Sequence, residues 1–174
     1  MKLSLYDVVV PTYLQLLGSA VKLLDKAEAF CDESSVQPES LIQARLTDDM
    51  LSFAYQISSL SAHSMGAIEA IRKGIFSPDM TTPNTDMSGL RNIVEKARNY
   101  LSELAPDQVN VLTGKEICFV MGDYRADYLA ERFLLSFSMP NFIFHATTAY
   151  DILRWKGVKL GKTDFLGKVQ RLKK

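Results

Sequence analysis

The sequence predicts an all-α fold: a four-helix bundle with a small β-hairpin between the third and fourth helices. Three observations predict it. Apolar residues recur every three or four positions in four long stretches, the period of one helix face. That period breaks once, at Glu116–Met121, where a β-favouring run leads into Gly122-Asp123. No internal repeat, low-complexity segment or linker interrupts the 174 residues, so they read as one domain, 1–174.

The first helix opens at Ser4 with Asp7 three residues on, a capping arrangement. Val10, Leu14, Leu17, Val21, Leu24, Ala27 and Cys31 form its apolar stripe, and Pro11 is expected to bend it because proline removes a backbone donor. Asp32-Glu33-Ser34-Ser35 ends it. A short helix is expected from Pro38 to Arg45. Thr47-Asp48-Asp49 reads as a cap with acidic residues in the first turn of the second long helix. Met50, Phe53, Ile57, Leu60, Ser64, Ile68 and Ile71 mark its stripe, and Gly74 stops it. After a polar loop, Asn84 or Thr85 is expected to cap the third helix, which carries Leu90, Ile93, Val94, Ala97, Leu101 and Leu104. The hairpin pairs 116–121 with 124–128 around the two turn residues. The fourth helix runs from about Leu129 to Trp155 with Pro140 bending it midway, and Gly157 caps its end. The segment 158–174 reads as a basic, solvated tail.

Composition narrows the function. Apolar residues at 47% and charged residues at 23% are a globular balance, and the length suffices for a core without disulfide or metal staples. Twenty basic residues offset twenty acidic ones, so no overall field attracts nucleic acid or anionic lipid, and neither is expected as a partner. The N-terminus lacks a signal-peptide h-region, and no run of about 18 apolar residues suggests a membrane span. Cys31 and Cys118 lie outside any CxxC spacing and read as reduced apolar fillers. A cytoplasmic location is the expectation.

The chain has two histidines, His63 and His145. His63 falls at the flank of the second helix's apolar stripe, almost above Gln56 seven residues earlier. On the fourth helix Asn141, His145 and Ala149 share a face at i, i+4, i+8, with Thr148 and Ile152 beside them. Facing inward, these helices would form a polar pocket lined by His63, Asn141, His145, Gln56 and Thr148. Imidazoles there suit ligand binding, proton transfer or a transition metal. The plainer account is two hydrogen-bonded histidines tying helices together. A zinc site needs three or four protein ligands, and no third stands at ligand spacing. The sequence contains no GxGxxG, P-loop, GxSxG or HExxH pattern.

Leu5-Tyr6-Asp7 leading to Pro11, the segment Pro140-Asn141-Phe142-Ile143-Phe144-His145 through Thr148-Ala149-Tyr150, and Gly161-Lys162-Thr163-Asp164-Phe165-Leu166-Gly167 resemble an uncharacterised family. It is a domain of unknown function grouped with the DinB/YfiT-like metalloenzyme superfamily, and the likeness spans nearly the whole chain. The resemblance implies an antiparallel DinB-like four-helix bundle, often a homodimer. It also implies a divalent metal held by one histidine of the second helix and two of the last at i and i+4. His63 and His145 match two of those positions. Ala149 stands at the third and cannot bind metal.

The leading expectation is therefore a DinB-like bundle that binds a small molecule between its helices without a complete metal triad. No cofactor is predicted. If a divalent metal such as zinc or nickel binds, His63 and His145 are its ligands. The alternatives are a metal- or thiol-dependent transferase-like enzyme using that pocket, and a dimeric protein-interaction module.

Overall fold

Ser4 accepts a hydrogen bond from the Asp7 backbone while Asp7 reaches back to Ser4, so the expected capping box starts α1, Leu5–Ser34. The computed structural model of the protein describes residues 3–83 and 85–171. The helix continues through Pro11, and Ser35 closes it in the left-handed region at φ 54°. By length and composition alone α1 could cross a bilayer, which its sequence pattern did not suggest. Its stripe of Val9, Val10, Tyr13, Leu17 and Leu24 instead lies wholly inside the protein core.

The short helix α2 covers Pro38–Ile42, ending before the expected Arg45. The second long helix starts later than expected. Thr47 does not cap it; Thr47–Met50 forms a turn closed by the Met50 N–H on the Thr47 carbonyl at 3.0 Å. The Phe53 N–H donates to the Ala44 carbonyl at 2.8 Å, which pins the chain to the end of α2 and lets helix begin only at α3, Phe53–Ser61. A π-helical turn, Ala62–Gly66, joins it to α4, Ala67–Lys73, which Gly74 ends at φ 79°. Gly74 feeds directly into β1, Ile75–Phe76.

The third long helix, α5, spans Met87–Ser102. Its cap is Asp86, whose carboxylate accepts from the Gly89 N–H at 2.8 Å, and not Thr85. Asn84 lies outside the described residues. A short α6, Pro106–Asn110, leads to β2, Glu116–Met121, and β3, Tyr124–Leu129. These strands pair antiparallel with Met121 opposite Tyr124, and Gly122 takes the first turn position at φ 58°. The sheet has a third member: β1 runs parallel to β2, with Phe76 opposite Phe119.

Helix resumes as α7, Ala130–Arg132, widens to a second π-helical turn at Phe133–Ser138, and continues as α8, Met139–Trp155. The wide turn ends just before Pro140. At the far end the Gly157 N–H donates to Arg154 and the Val158 N–H to Leu153, with Gly157 at φ 98°, a Schellman closure.

Along the chain α1 packs on α5 and α8, and α3 packs on the same two helices. Phe53, Leu60, Leu90, Val94, Phe142 and Ile152 meet α1 in one apolar core. Tyr13 and Phe142 touch edge to face at 4.7 Å.

The segment after Gly157 is not a solvated tail over its described part. Val158 and Leu160 are buried while Lys159 between them is exposed, an alternation hidden by the surrounding lysines. They lead into α9, Lys162–Leu166, which packs on α1. The Gln15 side-chain amide donates to the Leu166 carbonyl at 2.8 Å, and Lys26 pairs with Asp164 at 2.8 Å.

Candidate functional site

The π-helical turn at Ala62–Gly66 displaces His63 from the regular helical ladder. Such turns recur at functional sites because they re-aim a side chain and free backbone groups. Here the His63 carbonyl accepts from the Ser138 hydroxyl at 2.8 Å, and Ser138 closes the second π-helical turn. The two irregular turns are thus fastened to each other inside the protein. They bring His63 beside His145, with ring centroids 5.6 Å apart and planes only 20° from parallel.

Gln56, one turn into α3, is buried and reaches across to α8. Its Oε1 lies 2.6 Å from His145 Nδ1, and its Nε2 donates to the Leu51 carbonyl at 2.9 Å. That carbonyl is free to accept because Leu51 precedes the helix. Asn141, one turn before His145 on α8, donates its Nδ2 to the Phe137 carbonyl at 2.7 Å.

These groups open on a cleft of about 430 Å³, within the range of small-molecule sites. Gln56, His63, Asn141 and His145 all line it. Thr148, the fifth expected residue, does not; it is buried further along α8, beyond the end of the cleft. Thr148 lies beside the face that carries Asn141 and His145, but that side of α8 runs further than the opening and leaves Thr148 in the packed core.

The opening has residues that the periodicity did not mark. Tyr55 stands edge-on to His145 at 5.9 Å, and its hydroxyl touches the Met80 sulfur. Phe119 from β2 and Phe137 from the second π-helical turn meet at 5.0 Å and form an apolar wall. Phe76, held opposite Phe119 by the β1–β2 pairing, packs against His63 at 5.5 Å. The β-favouring run Glu116–Met121 carries Phe119, but it is apolar at every position from Ile117 to Met121, so no alternation in the sequence marks which side chains face the cleft. Asp49, expected in the first turn of the second long helix, lies before it and at the rim.

Burial dominates the electrostatics. It pushes the His63 imidazole down to about 4, with neighbouring His145 adding in the same direction, and it pushes His145 down to about 4. Both rings are therefore neutral near pH 7. His63 is 6% exposed, and its Nδ1 is buried without a partner.

A divalent metal held by the protein would need three or four ligands here. His63 and His145 offer two imidazoles, but the third position of the superfamily pattern is Ala149, an apolar residue 1% exposed. Among the described residues no three His, Cys, Asp or Glu side chains gather at metal-binding spacing. His145 Nδ1 is already engaged by Gln56. The donor set does not make a complete metal site.

The fold and this helix-lined cleft define a DinB-like protein: mostly helical, with a small three-stranded sheet. The chain is similar to the crystal structure of a DinB family member protein from Shewanella denitrificans, at 26% identity and a TM-score of 0.81 over 98% of this chain and 96% of that one. Residues 5–166 match the model of the domain of unknown function DUF1993, and the chain belongs to that family. No curated protein matches it.

Proposed function

We propose that this protein is a DinB-like four-helix bundle that binds a small organic molecule in the cleft between α3 and α8, without a complete metal triad. The observation that supports this reading most is the pair of neutral imidazoles, His63 and His145, set with Gln56 and Asn141 among apolar walls, with Asp49 at the rim. Apolar walls with a few fixed polar groups are the usual make-up of a ligand site. Burying those polar groups costs stability unless something else uses them. We also propose that it works in the cytoplasm, in keeping with two cysteines outside any disulfide or CxxC spacing, and as a homodimer, as the resemblance implies.

The test is ligand-observed NMR with a panel of aromatic alcohols, amines, ethers and carboxylates, repeated on His63→Ala and His145→Ala. Binding by at least one class, weakened in both variants, is the expected result. A panel whose binding is indifferent to both substitutions would remove the cleft from consideration. Elemental analysis after exposure to zinc, nickel and manganese runs beside it. About one equivalent of metal, lost in His145→Ala, would replace this reading with metal-dependent chemistry.

A further inference from the structure

The cleft's two amides have only one orientation each, and that decides which hydrogen-bonding groups face a ligand. A backbone carbonyl can only accept, so the end of Gln56 against Leu51 is its NH₂. Its Oε1 therefore faces His145 Nδ1 at 2.6 Å, and an oxygen at that distance requires an N–H opposite. A neutral imidazole carries one N–H. The proton of His145 is thus on Nδ1, and Nε2 keeps a bare lone pair. The one side-chain hydrogen bond of His145 among the described residues runs through Nδ1, and His145 lines the cleft.

Asn141 obeys the same rule. Its NH₂ is used by the Phe137 carbonyl, so Oδ1 is left as an acceptor. Asp49 at the rim is the one charged residue among those that line the opening, and it too accepts. The groups assigned in this way, on His145, Asn141 and Asp49, all accept, while His63 deeper in the lining keeps the one N–H of a neutral ring. The walls beside them are Phe119, Phe137 and Phe144.

Resting on the small-molecule reading above, we infer that the cleft takes a molecule whose polar head donates hydrogen bonds, a hydroxyl or an amine, on an apolar body. Gln56 is the positioning residue that fixes His145 with its bare Nε2 toward that head. Carboxylates and phosphates are disfavoured on the His145, Asn141 and Asp49 side, since they would set acceptor against acceptor and anion against Asp49.

Long-range ¹H–¹⁵N spectra of the labelled protein at pH 7 test the first half without any ligand. Two histidines give two ring patterns, assigned with His63→Ala. The His145 ring is expected with Nδ1 protonated and Nε2 bare, and Gln56→Leu is expected to release it toward the Nε2-protonated form. A wild-type ring protonated on Nε2 overturns the proposal even if Gln56→Leu does not fold. A His145 pattern unchanged in a folded Gln56→Leu protein overturns the role of Gln56. For the second half the probes are benzyl alcohol, benzyl methyl ether and benzoate. The alcohol is expected to shift His145 Nε2, the ether to bind about tenfold more weakly, and benzoate not to bind, because an unmatched acceptor forfeits its hydrogen bond. Equal binding of the ether or benzoate overturns the donor rule and leaves the cleft as a ligand site. If no probe moves either imidazole while the tautomer is as expected, the small-molecule reading falls and the positioning by Gln56 stands.

Discussion

The cleft and the C-terminal segment are both attachments to the same helical core, and they are built in opposite ways. In the C-terminal segment polar groups are matched. Asp164 accepts from the Gly161 N–H and pairs with Lys26, the Leu166 carbonyl accepts from Gln15, and Val158 and Leu160 fill the core. At the cleft, two helices are widened into π-helical turns, a histidine nitrogen is buried with no partner, and two imidazoles stack without a charge to share. A segment that only holds the fold together satisfies its groups internally. A site that meets a ligand leaves some of them open. The comparison separates two parts of one chain: the lysine-rich end, which the sequence pattern reads as a solvated tail, turns out to be fitted to the fold, while the polar helix faces keep groups open.

The sharpest way to break this comparison is to remove residues 158–174. If the segment is structural, the loss is large: a buried Val and a buried Leu contribute about 1.5–3 kcal/mol each, and a whole domain has only about 5–15 kcal/mol to lose. We expect the urea midpoint to fall steeply, while the His145 ring pattern at the folded baseline stays as it is in the full chain. An unchanged midpoint would return the segment to the status of a tail.

The second prediction titrates the cleft. Both histidines are held well below the ordinary imidazole value, at about 4 against 6.5. As pH falls below 6.5 the unfolded chain takes up protons first and the folded chain does not. Stability carried by the neutral rings is therefore complete above pH 6.5 and is lost as pH falls toward 4. If held in full, such a shift corresponds to roughly 3 kcal/mol per ring; the partial exposure of His145 reduces its share. Carboxylates also titrate at the low end, so the measured quantity is a difference. Wild type is compared by denaturation with a His63→Phe, His145→Gln double variant from pH 7 to pH 4. The variant is expected to lose less stability across that window. Parallel curves would mean that the cleft does not hold its histidines neutral.

How much of this was legible in the sequence depends on how local each cause is. Ser4 with Asp7, Gly74, Gly122 and Gly157 act within one turn of chain, and each takes the role its neighbours suggested. Helical spacing puts Gln56 with His63 and Asn141 with His145, each pair on one side of its own helix; that the two sides meet comes from the packing of α3 on α8. The misplaced start of α3 has a non-local cause, the Phe53–Ala44 hydrogen bond, which overrides a good capping sequence at Thr47. A two-residue strand such as β1 is too short to have a period. The π-helical turns leave no composition signal, since a single shifted hydrogen bond defines them. Val158 and Leu160 were obscured because charge density around them outweighed a two-residue alternation. Thr148 was included because a helix face has no marked end in sequence.

The third and smallest prediction tests how closely the C-terminal segment is fitted to α1. Gly167 ends α9 with φ 61° and ψ −138°, a backbone region that residues with a Cβ rarely enter. A Cβ built there would also collide with the Ser19 hydroxyl on α1. Gly167→Ala therefore meets two obstacles, the backbone strain and the approach to Ser19, and is expected to cost about 1–3 kcal/mol. Ser19→Ala removes the hydroxyl but not the strain, so adding it to Gly167→Ala is expected to restore only part of the loss. Denaturation of the two single variants and the double variant reads this directly, and limited proteolysis locates it at the end of the chain. Neither substitution touches the cleft, so probe binding at His145 is expected to stay unchanged. Weakened binding in Gly167→Ala would show that the two attachments are coupled through α1, and the division drawn between them would then have to be given up.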